Sequence, residues 1–210
     1  MLIRLGYDIQ FDSPATTAVV GMLHVHPSRT ANLLEPDVLH TDPVVPVELY
    51  RDSFGNVCSR FVAPEGGIRI YNRTLIHDSG LPDPAGLDAA FVPVENLPVE
   101  VLRYLLASRY CEVDLLSNTA VELFADTKPG WERVQAICTW VNRKVVFGYH
   151  FARPTRTALD VYTERAGVCR DFQHLAIAFC RALNIPARYA TGYLGDIGVP
   201  ISPTAMDFSA

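Results

Sequence analysis

Ala166-Gly167-Val168-Cys169-Arg170-Asp171-Phe172 is the stretch that decides the reading, because in it a glycine and a cysteine open a long apolar helix. Gly167 permits a tight entry turn. Apolar residues at Val168, Phe172, Leu175, Ala176, Phe179 and Leu183 then recur with the spacing of one helical face, which predicts a helix from about Val168 to Leu183. A thiol at a helix start sits among unpaired backbone N–H groups at the positive end of the macrodipole. Both favour the thiolate, the form that attacks carbonyl carbon. Cys169 is therefore the candidate nucleophile.

The neighbourhood of this helix is also helical. Val99 to Ala107, Leu115 to Phe124, Lys128 to Lys144 and Thr157 to Thr163 all read as helices. The Lys128 helix has Asp126 or Thr127 as a cap and Pro129 in its first turn. Its apolar stripe runs through Trp131, Val134, Ile137, Cys138, Val141 and Val145, so Trp131 and Trp140 are read as core. After Pro186, Ala187 to Leu194 reads as a strand, and Gly195 to Pro203 as a loop.

The first half reads differently. Leu2 to Phe11, Thr17 to His26, Val45 to Arg51, Val57 to Ala63 and Ile68 to His77 show strand patterning between turn-forming clusters. The Asp52 to Asn56 loop closes a predicted hairpin. A connector rich in proline, from Leu81 to Pro98, follows. The expected architecture is α+β: an antiparallel β-sandwich over residues 1–95, then a helical core over 96–210.

Composition narrows the function. The chain of 210 residues has a formal net charge of −5, which gives no general pull toward nucleic acid or an anionic membrane. No apolar run approaches the ~20 residues of a membrane helix, and the N-terminus has no leader pattern. The five cysteines (Cys58, Cys111, Cys138, Cys169 and Cys180) are scattered, without CxxC spacing. That argues against a zinc knuckle or a disulfide framework and fits a reduced cytoplasmic setting. Apart from Cys169 they are read as small buried hydrophobes. His24 and His26 share a face of the Thr17 strand, with no third ligand apparent, so no metal is expected.

The run Gly167-Val168-Cys169-Arg170-Asp171-Phe172-Gln173-His174-Leu175 is followed by Arg181-Ala182-Leu183-Asn184-Ile185-Pro186-Ala187-Arg188-Tyr189 and then Thr191-Gly192-Tyr193. With the preceding Tyr149-His150-Phe151-Ala152-Arg153-Pro154-Thr155 and Ala158-Leu159-Asp160-Val161-Tyr162, this resembles the bacterial transglutaminase-like superfamily. The likeness covers roughly residues 100–210, and the β-rich half resembles the domain that often precedes it. The resemblance implies a papain-like Cys-His-Asp triad in which Cys169 attacks an amide carbonyl of a protein or peptide substrate. A histidine takes and returns the proton, and an aspartate orients that histidine. The Cys169 backbone N–H would join an oxyanion hole. Transfer to an amine gives cross-linking and transfer to water gives hydrolysis. No cofactor is implied.

The chain departs from the family at Met206-Asp207-Phe208-Ser209-Ala210. Family members carry their histidine in a D-x-H-A-W strand. Here Ser209 stands at that position, beside Asp207, and a serine hydroxyl cannot act as imidazole does near neutral pH. Three readings follow: a fragment of a longer bacterial protein, which the stop in mid-motif favours; a branch whose base comes from elsewhere; or a non-catalytic peptide- or protein-binding module. An incomplete core would leave unpaired sheet edges and expose apolar surface, so a homodimer or strand-exchanged assembly is expected. His150, in the loop before the cysteine helix, is the candidate substitute base. His174 lies about 140° around the helix from Cys169 and is read as a structural hydrogen-bonding residue. Arg170, Asp171 and Arg153 are expected to shape the groove. Asp171 needs an arginine partner (Arg153, Arg156 or Arg188), since an unpaired carboxylate would oppose the thiolate.

Overall fold

Strict alternation of inward and outward residues builds the first part of the chain. The computed structural model describes residues 1–82, 84, 86–195 and 208–209, the last of these by its backbone alone. Strand β1 (Leu2–Phe11) pairs along its whole length with β6 (Ile68–His77), and β3 (His40–Asp42) occupies the other edge of β6. β6 buries Ile68, Ile70, Asn72, Thr74 and Ile76 at every second position, the period of a pleated strand. A second antiparallel sheet runs β2 (Thr17–Gly21), β5 (Val57–Ala63), β4 (Glu48–Arg51), with β5 central. The predicted hairpin forms between Arg51 and Val57. Asp52 Oδ1 accepts the Phe54 and Asn56 N–H groups at 2.8 and 2.9 Å.

Two of these strands are shorter than their patterns suggest. β2 ends at Gly21, so His24 and His26 do not share a strand face. His24 lies between Ser59 (Nε2 to Oγ 2.7 Å) and Asp37 (Nδ1 to Oδ2 3.3 Å). Ser59 is fully buried, so this hydrogen-bonded line fastens the excursion between β2 and β3 to the sheet. His26 caps a 3-10 turn at Pro27–Asn32. β4 begins only at Glu48, since Pro46 has no N–H to give a ladder.

The chain divides into two compact units, Met1–Asp83 and Pro84–Ala210. Among its described residues the second holds four α-helices, α1 (Val113–Phe124), α2 (Trp131–Lys144), α3 (Ala158–Glu164) and α4 (Cys169–Ala182). α4 is the hub and packs against the other three. It buries Leu175, Ile177, Ala178, Phe179 and Cys180 together with Asp171, His174 and Arg181, so it is covered on several sides rather than along the one stripe its apolar spacing suggested. Phe179 packs edge-on against Phe124, Trp140 and Tyr162, with ring centroids 5.4–6.1 Å apart. Full burial of such a ring is worth about 1.5–3 kcal/mol.

Other expectations shift for identifiable reasons. The Lys128 helix starts at Trp131, not Lys128. Gly130 has φ 100°, and a Cβ there would lie 2.4 Å from the Ala89 carbonyl oxygen, which accepts the Trp131 N–H instead. The Val99 segment is a 3-10 helix, Val99–Leu105. Cys138 is exposed, not buried. From Ala187 to Leu194 only Gly192–Tyr193 is a strand. The backbone before it is taken up by side chains and a loop: Ala187 N–H donates to Tyr104 O and Ala187 O accepts from Arg181.

Two short pairings frame the start of α4. β7 (Val146–Phe147) runs parallel to β8 (Ala166–Gly167), and β9 (Gly192–Tyr193) runs antiparallel to β10 (Phe208–Ser209).

Candidate active site

Cys169 is the first residue of α4 and is partly exposed. β8 delivers the chain to Val168, which is extended (φ −105°, ψ 176°), and the helix begins at the next residue. Gly167 serves here by its smallness. A Cβ on it would stand 2.6 Å from Asp171 Cβ, so any other residue would push Asp171 off the entry turn. Among the described residues, the backbone N–H groups of Cys169 and Arg170 find no acceptor. They point out of the helix start, where a developing oxyanion would be held.

Asp171 is fully buried one turn into α4. Its Oδ2 accepts the Val168 N–H at 2.9 Å, half of a capping box, which the apolar Val168 side chain cannot reciprocate. Arg170 reaches Oδ1 at 3.2 Å and Arg156 lies 3.9 Å from Oδ2. Arg156 is itself buried. It donates to Ala166 O and pairs with Glu164 at 3.0 Å. The carboxylate next to the thiol is thus met by two guanidinium groups and an amide, which offsets the repulsion it would otherwise exert on a thiolate. Arg153 does not reach it. Arg153 binds Glu164 and Asp160 at 2.7 and 3.0 Å, and its carbonyl accepts from Arg170 at 2.9 Å. Arg188 stands with Tyr104, whose hydroxyl accepts from it at 3.3 Å.

The remaining candidates approach from two sides. His150 is exposed in the 3-10 turn Tyr149–Phe151, which is tied to the entry strand by the Gly148 N–H donating to Gly167 O at 3.1 Å. Its ring lies against Phe151, with centroids 3.9 Å apart. The backbone therefore brings His150 alongside the cysteine turn, with no hydrogen bond to Cys169. On the other side, Gln173 shares the helical face of Cys169 (i, i+4). Its amide clamps Ala190, donating to the carbonyl at 2.6 Å and accepting the N–H at 3.3 Å. Two residues on, Gly192 pairs with Ser209, which puts the Ser209 backbone in register with the strand that follows Ala190. Asp207 lies outside the described residues.

His174 has a different task. It is buried, its Nδ1 shares a hydrogen bond with the Tyr189 hydroxyl, and its ring stacks on Tyr110 with centroids 5.2 Å apart. Tyr189 in turn meets Cys111 Sγ at 2.9 Å. Burial lowers the His174 pKa to about 4, so near neutral pH the ring is uncharged. Arg156 was one of three arginines considered for Asp171, and Arg170 joins it there, whereas Gln173 and the identity of Tyr189 as the partner of His174 are the parts that sequence reasoning left without their roles. Only Gln173 had a readable signal, its four-residue spacing from Cys169. Among the described residues, no group of three or more His, Cys, Asp or Glu side chains is gathered as a metal site.

Residues 117–204 match the family model of the transglutaminase-like superfamily. A putative cysteine protease from Cytophaga hutchinsonii, known from its crystal structure, superposes over 100% of this chain and 73% of its own, with a TM-score of 0.79 and 29% identity. The uncharacterized protein ML0607 of Mycobacterium leprae is 24% identical over 191 residues, which cover 88% of this chain and 67% of that protein. Residues 117–204 thus form a domain like those of the transglutaminase-like superfamily, and the β-rich first half followed by helices is the mixed α+β architecture of the Cytophaga protein.

Proposed function

We propose that this chain carries the nucleophile of a cysteine-dependent acyl transferase or amide hydrolase acting on protein or peptide amides. The observation that carries the reading is the start of α4: a partly exposed thiol, two N–H groups beside it with no acceptor among the described residues, and a carboxylate neutralised by Arg156 and Arg170. Cys169 Sγ attacks the amide carbonyl carbon and the C–O π electrons move to oxygen. The N–H groups of Cys169 and Arg170 receive that oxyanion. Collapse expels the amine, which needs one proton, and leaves a thioester for water or a second amine to open. His150 is the imidazole that the backbone carries to this turn, and it supplies the proton path in this reading. His174 is ruled out of that role by its burial and its bond to Tyr189.

Alkylation by iodoacetamide, mapped to Cys169 by mass spectrometry, tests the nucleophile. Faster modification than free cysteine at pH 6 is the expected result, and a rate no greater than free cysteine would falsify it. A second reading, a peptide-binding module of the same fold, is supported by the serine at position 209, where the resemblance leads one to expect histidine. That reading gains if Cys169 is sluggish.

A further inference from the structure

Three aromatic side chains from separate stretches meet beside Cys169. Phe147 ends β7, Tyr149 follows in the turn that Gly148 ties to Gly167, and Phe172 stands three residues after Cys169 on the same side of α4. The Phe147 and Tyr149 ring centroids are 5.3 Å apart at 77°, and those of Phe147 and Phe172 are 6.3 Å apart. The near-perpendicular pair makes a corner rather than a flat face. Two of its rings are uncovered, Phe147 52% exposed and Tyr149 66%, while Phe172 is half-buried against the core and anchors them. Exposed aromatic area of this kind costs free energy in water, at about 25 cal/mol per Å², and clustered as it is here it marks a contact site.

The occupant follows from what Cys169 must receive. A peptide whose amide carbonyl reaches Sγ lays its neighbouring residues along whatever borders the first turn of α4. On the Phe172 side that border is this corner. The cations nearby do not set the choice, because Arg153 is held by Asp160 and Glu164, and Arg170 by Asp171. Selection there is by apolar contact. The geometry points to Phe147, Tyr149 and Phe172 as a specificity pocket for an aromatic or large aliphatic side chain next to the reactive amide of a peptide acyl donor. This rests on the reading of Cys169 as the nucleophile.

Two alkylating probes test it, acetyl-Phe chloromethyl ketone and acetyl-Gly chloromethyl ketone, each forming a thioether with loss of chloride. Both are used near pH 9, and each cysteine is compared only with itself, so its own degree of ionisation cancels from the Phe-to-Gly ratio. Modification is mapped by mass spectrometry, and exposed Cys138 is the internal reference. The Phe reagent should modify Cys169 about tenfold faster than the Gly reagent, a factor worth about 1.4 kcal/mol, and show no preference at Cys138. Tyr149→Ser and Phe147→Ser should bring the ratio toward one, whereas Leu115→Ser, at an exposed apolar position on α1, should leave it. Circular dichroism checks each variant. If Phe147→Ser fails to fold, Tyr149→Ser decides, since its side chain is largely in water. Equal rates at Cys169 for the two probes, or a preference untouched by Tyr149→Ser, overturn the pocket. A Phe preference kept near pH 9 by a thiol that is slow at pH 6 overturns the nucleophile and leaves the pocket standing.

Discussion

Cys169 and Cys180 lie on one helix, three turns apart, and their surroundings give them opposite chemistry. Cys169 stands at the helix start, partly exposed, beside N–H groups with no acceptor among the described residues and a carboxylate met by arginine. Cys180 stands in the core near the far end, where burial pushes its thiol up to about 12. The residue type is the same and the helix is the same. Depth and the direction of the backbone dipoles make the difference, so a thiol's role is a property of its place in a fold.

The most direct way to break this comparison is to titrate both thiols in one experiment. At pH 8 a group with a pKa of about 12 is ionised to about one part in ten thousand, so native Cys180 should be unmodified by iodoacetamide while Cys169 reacts to completion. Comparable labelling of the two would end the contrast.

Next in size is the charge cluster under Cys169. Asp171→Ala leaves buried Arg156 without the carboxylate beside it, and losing one partner of a buried pair costs about 3–5 kcal/mol. Chemical denaturation should show a loss of that order, and Cys169 labelling should change with it. A loss under ~1 kcal/mol would mean that Glu164 alone holds Arg156.

A smaller effect comes from His174, midway along the comparison. Its folded pKa, about 4, lies below its ordinary 6.5. Above pH 6.5 the ring is neutral in both states and contributes nothing to the pH dependence. As the pH falls below 6.5 the unfolded chain takes up a proton that the folded one refuses. Stability then drops by up to about 1.4 kcal/mol per pH unit until about pH 4, on the order of 3 kcal/mol in all. His174→Gln keeps an acceptor for Tyr189 and should flatten that slope in thermal melts between pH 6.5 and 4. An unchanged slope would assign the acid sensitivity to other groups.

The smallest change sharpens the entry to α4 from the side of α3. Thr157 accepts the Asp160 N–H, and Asp160 returns the bond to the Thr157 N–H at 3.0 Å. Thr157→Ala should cost about 1 kcal/mol and leave Cys169 labelling unaltered. A change in labelling would show that α3 helps to position the thiol.

Much of this arrangement was legible before any coordinates. β1, β5 and β6 begin and end where alternation places them, because a strand with one buried face exposes its period in the sequence. α4 and the cysteine at its head were legible for the same reason at a period of 3.6. Where reading failed, another part of the chain had taken over a local preference. Ala187 to Leu194 has strand composition, yet Tyr104, Arg181 and Gln173 take up its first peptide groups, so only Gly192–Tyr193 is left to pair with a strand. Gly130 closes off the start of α2 because Ala89, about forty residues earlier, occupies the space a side chain would need. Cys138 belongs to an apolar stripe but lies at the edge of what the other helices cover.

Sequence alone determined the class of this protein and its candidate nucleophile, since hydrophobic period, a helix-opening cysteine and an ordered set of motifs are local properties of the chain. Tertiary structure alone decided which arginines face Asp171, that His174 is a neutral buried strut, and that an uncovered aromatic corner stands beside the thiol. Those outcomes depend on residues far apart in the chain being brought within a few ångströms, and on the loss of water around them, which no local pattern encodes.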